Sequence, residues 1–381
     1  MANTLTNLIA DAYKGLDVVS RELVGFIPAV TRDSDVAEAA IGETVYSYAA
    51  PAASASDVTA AATVPDDGNQ TFTNKTVAIT KSRRVPIRWN GEQTRQMDHS
   101  FGTGNMRVDQ FAQAFRTLTN EMETDLAALH VNASRAYGTA ATNPFASTLA
   151  DTAQLKKVLD DNGAPASDRH LVIDTSAGAA MRTLTQLTNV NQSADSTMLR
   201  QGELLNVHNF AIRESAQVKN LVTAGTGTGY TSSTAGFAVG VTDIALITGS
   251  GTVIAGDVVT FTGDTNKYMV DVGVAAPGTI TIAEPGLKKA LAASAVAMTI
   301  VAASTRNLAF SRNAIVLATR TPALPDGGDL AVDRTVITDP YSGLSFELSM
   351  YAQYRQMQYE VSAAWGVGAM KDEHMAVLLG G

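Results

Sequence analysis

The run Arg107–Tyr137 constrains this chain more than any other feature. It contains neither glycine nor proline, and Phe111, Phe115, Leu118, Met122, Leu126 and Leu129 recur every three or four residues, which places them on one stripe of a helix. At about 1.5 Å per residue, a helix through the whole run spans roughly 46 Å, long enough to serve as a spine for other elements. With 381 residues the chain can bury such a helix without covalent staples. It has no cysteine, so disulfides, zinc ribbons, iron–sulfur clusters and thiol nucleophiles are excluded.

On either side of the spine the pattern changes. Leu5, Leu8, Ile9, Ala12, Leu16, Val19 and Leu23 predict an amphipathic terminal helix ending near Gly25 and Pro28. Residues 49–70 have no periodicity and are rich in small residues, so they read as a long interacting loop. Val77 and Ile79, then Val85, Ile87 and Trp89, alternate with polar neighbours, which predicts two strands of a hairpin closed at Asn90-Gly91. Beyond the spine, TAQLKKVLDDNG and TSAGAAMRTLTQL read as helices, with RHLVID and FAIRES as strands, a mixed α/β layer. The stretch AGTGTGYTSSTAG reads as a flexible linker, and the short strands from Phe237 to about Ala303 as a small β-barrel or sandwich. Longer strands return after Asn313, including VDRTVIT and SFELSMYAQYR.

No motif carries chemistry. Gly225-Thr-Gly-Thr-Gly229 lacks the GK[ST] ending of a phosphate loop, and Asp264-Thr-Asn266 opens like a calcium loop but continues with Lys267 and Tyr268. His99, His130, His170, His208 and His374 show no paired metal spacing, and Ser176 lacks the glycine of a nucleophile elbow, so a helix N-terminus explains Thr175 and Ser176. Glu121, Glu123 and Asp125 read as a solvated helix face. The expectation is a non-enzyme with no cofactor or metal. The start of the sequence lacks the pattern of a signal peptide and no run is long enough for a membrane helix, which predicts a soluble intracellular chain.

Charge is the more informative signal. Charged residues make up only 17% of the chain, which suits a surface that meets other protein surfaces, and the net charge of −9 disfavours a general nucleic-acid binder. Residues 1–70 hold three basic against ten acidic side chains, net −7, whereas residues 71–107 hold seven against two, net +5. Lys81, Arg83, Arg84 and Arg88 are expected to share one outward face of the ribbon, turned away from Val85, Ile87 and Trp89. Glu38, Glu43, Asp66 and Asp67 of a neighbouring copy are the candidate partners, so these eight residues form a candidate inter-subunit interface. The rival readings are a face that meets DNA and one that meets only water.

The stretches LDVVSRELVGFIPAVTRD (16–33) and SRRVPIRWNGEQTR (82–95) strongly resemble the P22-type coat protein family of tailed phages, whose members have the HK97-like capsid fold. The resemblance is most specific over residues 1–105 and covers the rest through the order of its parts. It implies an α+β chain with an N-terminal arm (1–40), an E-loop with flanking strands (41–100), a P-domain spine helix (101–145) and an A-domain (146–223). An inserted small β-barrel domain (224–303) and the returning A-domain and P-domain strands (304–381) would complete it. Also implied are pentamers and hexamers in an icosahedral shell, a scaffolding protein, a portal protein, packaged double-stranded DNA on the inner face without sequence specificity, no membrane, and assembly in the host bacterial cytoplasm. Within the same fold the alternative is an encapsulin-like nanocompartment shell; outside it, a secreted β-rich adhesin or binding module.

Overall fold

Strand and helix follow the two periodicities closely over most of the chain. The computed structural model describes residues 12–16, 24–49, 55, 57–60, 63, 73–98, 106–188, 204, 206–218, 221–339 and 342–381. In chain order the first elements are β1 (Thr31–Ala39), β2 (Thr44–Ala49), β3 (Thr73–Ala78), β4 (Lys81–Asn90), α1 (Gly91–Asp98), α2 (Met106–Ala128) and β5 (Arg135–Gly138). Then come α3 (Ala150–Asp161), β6 (Arg169–Ile173), α4 (Thr175–Arg182), α5 (Thr185–Thr188) and β7 (Phe210–Glu214). Six short strands follow: β8 (Thr228–Ser232), β9 (Asp243–Ser250), β10 (Val258–Phe261), β11 (Lys267–Val272), β12 (Thr279–Ile282) and β13 (Met298–Ile300). The chain ends with β14 (Thr305–Ser311), β15 (Ile315–Pro322), β16 (Ala331–Thr338), β17 (Ser345–Gln353), β18 (Gln356–Ala369) and β19 (Met375–Gly380).

The spine is α2. Phe111, Phe115, Leu118, Met122 and Leu126 are all buried, and each contributes about 1.5–3 kcal/mol by leaving water. They pack on a six-stranded sheet of order β1-β15-β18-β17-β16, with β4 also pairing β18. Phe111 meets Tyr359 and Phe115 meets Phe346 edge to face, with ring centroids 6.2 and 5.1 Å apart.

The helix is shorter than its sequence predicts. It ends at Ala128, a 3-10 turn covers Leu129–Asn132, and the expected last turn is instead strand β5. That strand lies between β19, parallel, and β11, antiparallel. The buried Arg135 guanidinium reaches Val158 O at 3.1 Å and Asn162 Oδ1 at 3.0 Å. Sheet bonds on both edges, plus the hydrogen bonds of the buried Arg135 terminal nitrogens, outweigh the few tenths of a kcal/mol per residue by which local preference favours helix.

The ribbon also differs. β3 pairs with β2 across the loop rather than with β4, and β4 runs antiparallel to β18 from Asn90↔Gln356 to Lys81↔Trp365. Only Ile79-Thr80 separates β3 from β4, and neither residue suits the positive φ angles of a tight two-residue hairpin. Instead Val77 and Ile79 bury against Val316, Ala318 and Ala364. Asn90-Gly91 does not close a hairpin: Asn90 Oδ1 accepts from Gln93 N at 2.7 Å and Gln93 Oε1 accepts from Asn90 N at 3.1 Å, a reciprocal cap that starts α1. Within the expected arm, residues 12–16 are helical and Thr31–Ala39 is strand β1, parallel to β15. The remaining residues of the expected terminal helix up to Leu23, and most of the loop 49–70, lie outside the described residues.

A second sheet runs β7-β6-β14-β19-β5-β11-β12-β9-β8, with β10 pairing β11 and β13. Leu155 and Leu159 of α3 and Ala177 and Met181 of α4 cover its first part, giving the expected α/β layer. Asp174 caps α4 through the N–H groups of Ser176 and Ala177. Strands β8–β13 gather around their own apolar cluster, which includes Tyr230, Phe261, Tyr268 and Ile282. The middle of the expected linker is strand β8, because fully buried Tyr230 gives it an apolar anchor, and Gly225 N ahead of it donates to Asp257 at 2.9 Å.

Candidate assembly surface

Strand β4 sets the geometry of the basic residues. Alternation puts Lys81 and Arg83 on the same face as Val85, Ile87 and Trp89, toward α2, and puts Arg84 and Arg88 on the opposite face. The four do not share one face, because odd and even positions of a strand point to opposite sides. Among the described residues β4 pairs only with β18, so its outer edge has no strand partner among them. Four cations and Pro86 along that edge also deter unwanted strand pairing.

Acidic groups of the same subunit meet three of the four cations. Lys81 Nζ lies 2.8 Å from Asp125 Oδ1 and 3.2 Å from Glu121 Oε1, and 6.0 Å from the Trp365 ring centroid. Burial works against the Lys81 charge, but the hydrogen bonds to Asp125 and Glu121 outweigh it and hold its pKa above the usual lysine value. Arg83 Nε sits 3.2 Å from Glu121, and Arg84 donates to Glu360 at 2.6 Å, which raises the Arg84 pKa. Arg88 is exposed, stands opposite Gln358 and has no ion pair among the described residues. Of the acidic candidates, Glu38 is exposed and accepts from Leu324 N at 3.1 Å, and Glu43 is exposed; Asp66 and Asp67 lie outside the described residues.

Reading Glu121, Glu123 and Asp125 as a solvated face missed their roles. Glu121 and Asp125 are four residues apart and so project from one side of α2, where Lys81 bridges them; that spacing is the signal that marks them as a pair. Asp125 also accepts from Trp365 Nε1 at 2.8 Å. Glu123, between them, is 1% exposed. Its oxygens accept from Phe26 N at 3.1 Å, Ile27 N at 2.7 Å and Ser215 Oγ at 2.8 Å. Burial pushes its pKa up, and the hydrogen bonds pull it back only in part. This carboxylate fastens the entry segment and the end of β7 to the spine and seats Phe26 against Phe310, with ring centroids 6.3 Å apart.

Apolar groups stand out at projecting positions: Leu330 is 91% exposed before β16, and Tyr354 is 88% exposed in the β17–β18 turn. Among the described residues no group of three or more His, Asp or Glu is placed to hold a metal ion, and no helix is long and apolar enough to cross a membrane. Asp264 serves its own turn, accepting from Asn266 N and, at 2.6 Å, from the Tyr268 hydroxyl. Burial, with the Asp264 hydrogen bond, pushes the Tyr268 hydroxyl well above its ordinary pKa.

No protein-family model matches the chain, and no curated protein matches it. Solved structures are similar to it at low identity. A chain of the cyanophage P-SCSP1u capsid is 12% identical with a TM-score of 0.49, covering 93% of this chain and 86% of that one. A chain from Mycobacterium phage Che8 is 11% identical with a TM-score of 0.48, covering 88% and 84%. A virus-like particle from Pyrococcus furiosus is 7% identical with a TM-score of 0.46, covering 97% and 99%.

Proposed function

We propose that this chain is the major capsid protein of a tailed bacteriophage, a structural subunit that assembles with copies of itself into the icosahedral shell around the DNA genome. The observation that carries the reading is the β2–β3 ribbon. Among the described residues its two strands pair in a sheet only with each other, and its base is held to the subunit by Val77, packed with Val316, Ala318 and Ala364, and by Lys75, 3.5 Å from Asp372. A two-stranded ribbon is marginal alone in water, and the part beyond that base is stabilised by what it lies upon, which in a shell is the next subunit. The edge of β4, without a strand partner among the described residues, and the exposed Leu330 and Tyr354 are further surfaces suited to a neighbouring subunit.

The resemblance of residues 16–33 and 82–95 to P22-type coat proteins supports the HK97-like assignment. On that reading β2–β3 with the loop between them is the E-loop, α2 is the P-domain spine, residues 146–223 belong to the A-domain, and residues 224–303 are an inserted small β-barrel domain. The subunits form pentamers and hexamers on a scaffolding protein, with a portal at one vertex and DNA on the inner face, and assemble in the host cytoplasm. Lys81, Arg83 and Arg84 have partners within the subunit, so Arg88 is the cation of the set best suited to a carboxylate of a neighbouring copy.

The test is to express the chain with its scaffolding protein and image the product. Closed particles tens of nanometres across that package DNA are expected. Monomers or small oligomers alone, with scaffold present, would overturn the shell reading, and closed shells holding a cargo enzyme instead of DNA would replace it with the nanocompartment.

A further inference from the structure

Arg306 lies on β14. Its neighbours Leu308 and Phe310 point into the apolar layer beneath α2, and strand alternation turns Arg306 the same way, toward the last turn of that helix. The residue is 3% exposed, and Nε and both terminal nitrogens have no hydrogen-bond partner among the described residues. A guanidinium offers five N–H donors in a rigid fork, and buried donors are almost always satisfied. Burial pulls its pKa down to about 10, with Asp257 opposing. Asp257 lends favourable charge, but its two oxygens accept from Gly225 N at 2.9 Å and Ile254 N at 2.8 Å.

The same side chain lines a cavity of about 290 Å³, together with Thr124, His130, Gln217, Leu221 and Thr223. That volume is several times the roughly 30 Å³ share of one water molecule, so it admits a small ligand. Gln217 Oε1 lies 3.1 Å from Thr124 Oγ, which shares its one proton between that oxygen and Asn120 O at 2.8 Å, and the Gln217 amide NH₂ is a second donor for a guest. His130 Nδ1 lies 3.0 Å from Ala127 O, so its ring is oriented by the end of α2. The chemistry on offer is one buried cation with a forked donor set and a polar wall.

We propose that this cavity binds a small oxyanion, the carboxylate or phosphate group of a low-mass solute, gripped by the Arg306 fork and steadied by Gln217. A planar guanidinium matches two oxygens of either group through parallel hydrogen bonds. The proposal does not depend on shell assembly, because the cavity lies within one subunit.

The test is thermal unfolding of the full-length unassembled subunit, titrated with sodium phosphate, sodium acetate or sodium chloride at matched ionic strength. A saturable rise of the midpoint is expected with at least one oxyanion and not with chloride. It should vanish in Arg306→Gln, and Gln217→Leu should weaken it about tenfold, the loss of one hydrogen bond to a charged guest. Should Arg306→Gln fail to fold, the Gln217→Leu titration and a density map of the wild-type chain in phosphate decide the matter. An oxyanion within hydrogen-bond distance of Arg306 supports the proposal. The absence of a saturable shift with either oxyanion would overturn it, as would equal shifts in the wild type and Gln217→Leu with water alone at Arg306.

Discussion

The two sides of α2 use carboxylates differently. On one side Glu123 is shut away from water and holds two backbone N–H groups and a hydroxyl from segments distant in sequence. On the other, Glu121 and Asp125 are part-exposed and meet Lys81 and Arg83 of β4. Removing the buried group strands donors that no water can reach, whereas removing an exposed one lets solvent take its place. The first kind of contact decides whether the subunit folds. The second leaves charge available for tuning what the subunit meets.

Five variants test that contrast. Leu118→Pro strikes both sides at once, since it breaks a backbone hydrogen bond in mid-spine and empties a fully buried site; it should cost about 3 kcal/mol or more and abolish soluble subunit, as seen by yield and circular dichroism. Normal yields of folded protein would mean that the helix is not the organising element.

Glu123→Ala should cost about 2–5 kcal/mol in denaturant unfolding, from the Phe26 and Ile27 N–H groups left without an acceptor. The pH dependence separates this site from the exposed pair. Burial holds the folded-state pKa of Glu123 above its ordinary value of 4.5, so the folded chain binds that proton more tightly than the unfolded chain does. Its contribution is therefore full below about pH 4.5 and is lost as pH rises through the raised value. Glu123→Gln removes this slope, so the stability gap between wild type and variant should narrow with rising pH across that window. A constant gap would show that Glu123 does not titrate as its burial requires.

Arg83→Glu faces Glu121 with a like charge and should lower stability by no more than about 1 kcal/mol, less at high salt, read from chemical denaturation at two ionic strengths. Arg88→Glu should leave the unfolding midpoint within error and yet slow or abolish assembly followed by light scattering. If Arg88→Glu shells form at the normal rate, the cations of β4 guard the sheet edge and do not join subunits.

Much of the architecture was legible. The stripe from Phe111 to Leu126 marked the spine because a helix facing a sheet writes its burial at three- and four-residue spacing. RHLVID and TSAGAAMRTLTQL marked the α/β layer for equally local reasons. The partners of β4 were harder to see. Its alternation announced a strand, but Lys81 and Arg83 share a face with Val85, and no local pattern says that Glu121, Asp125 and Glu360 will meet these cations. The parity of the strand and the four-residue spacing of Glu121 and Asp125 were the signals to hand. Glu123 had none, since a carboxylate on a helix reads alike whether it meets solvent or two backbone amides.

By itself the sequence determined where most helices and strands form, that no thiol chemistry operates, and that the chain is poor in charge, because propensity, periodicity and composition are local or summed properties. Tertiary structure alone decided that β3 would pair backward to β2 and β4 across to β18, and that the tail of the predicted spine would become β5. It also decided that Glu123 would be a buried anchor and that Arg306 would face a cavity. Each depends on contacts between segments far apart in the chain, where open edges compete for partners, and the outcome follows from the total burial and hydrogen bonding of the whole fold.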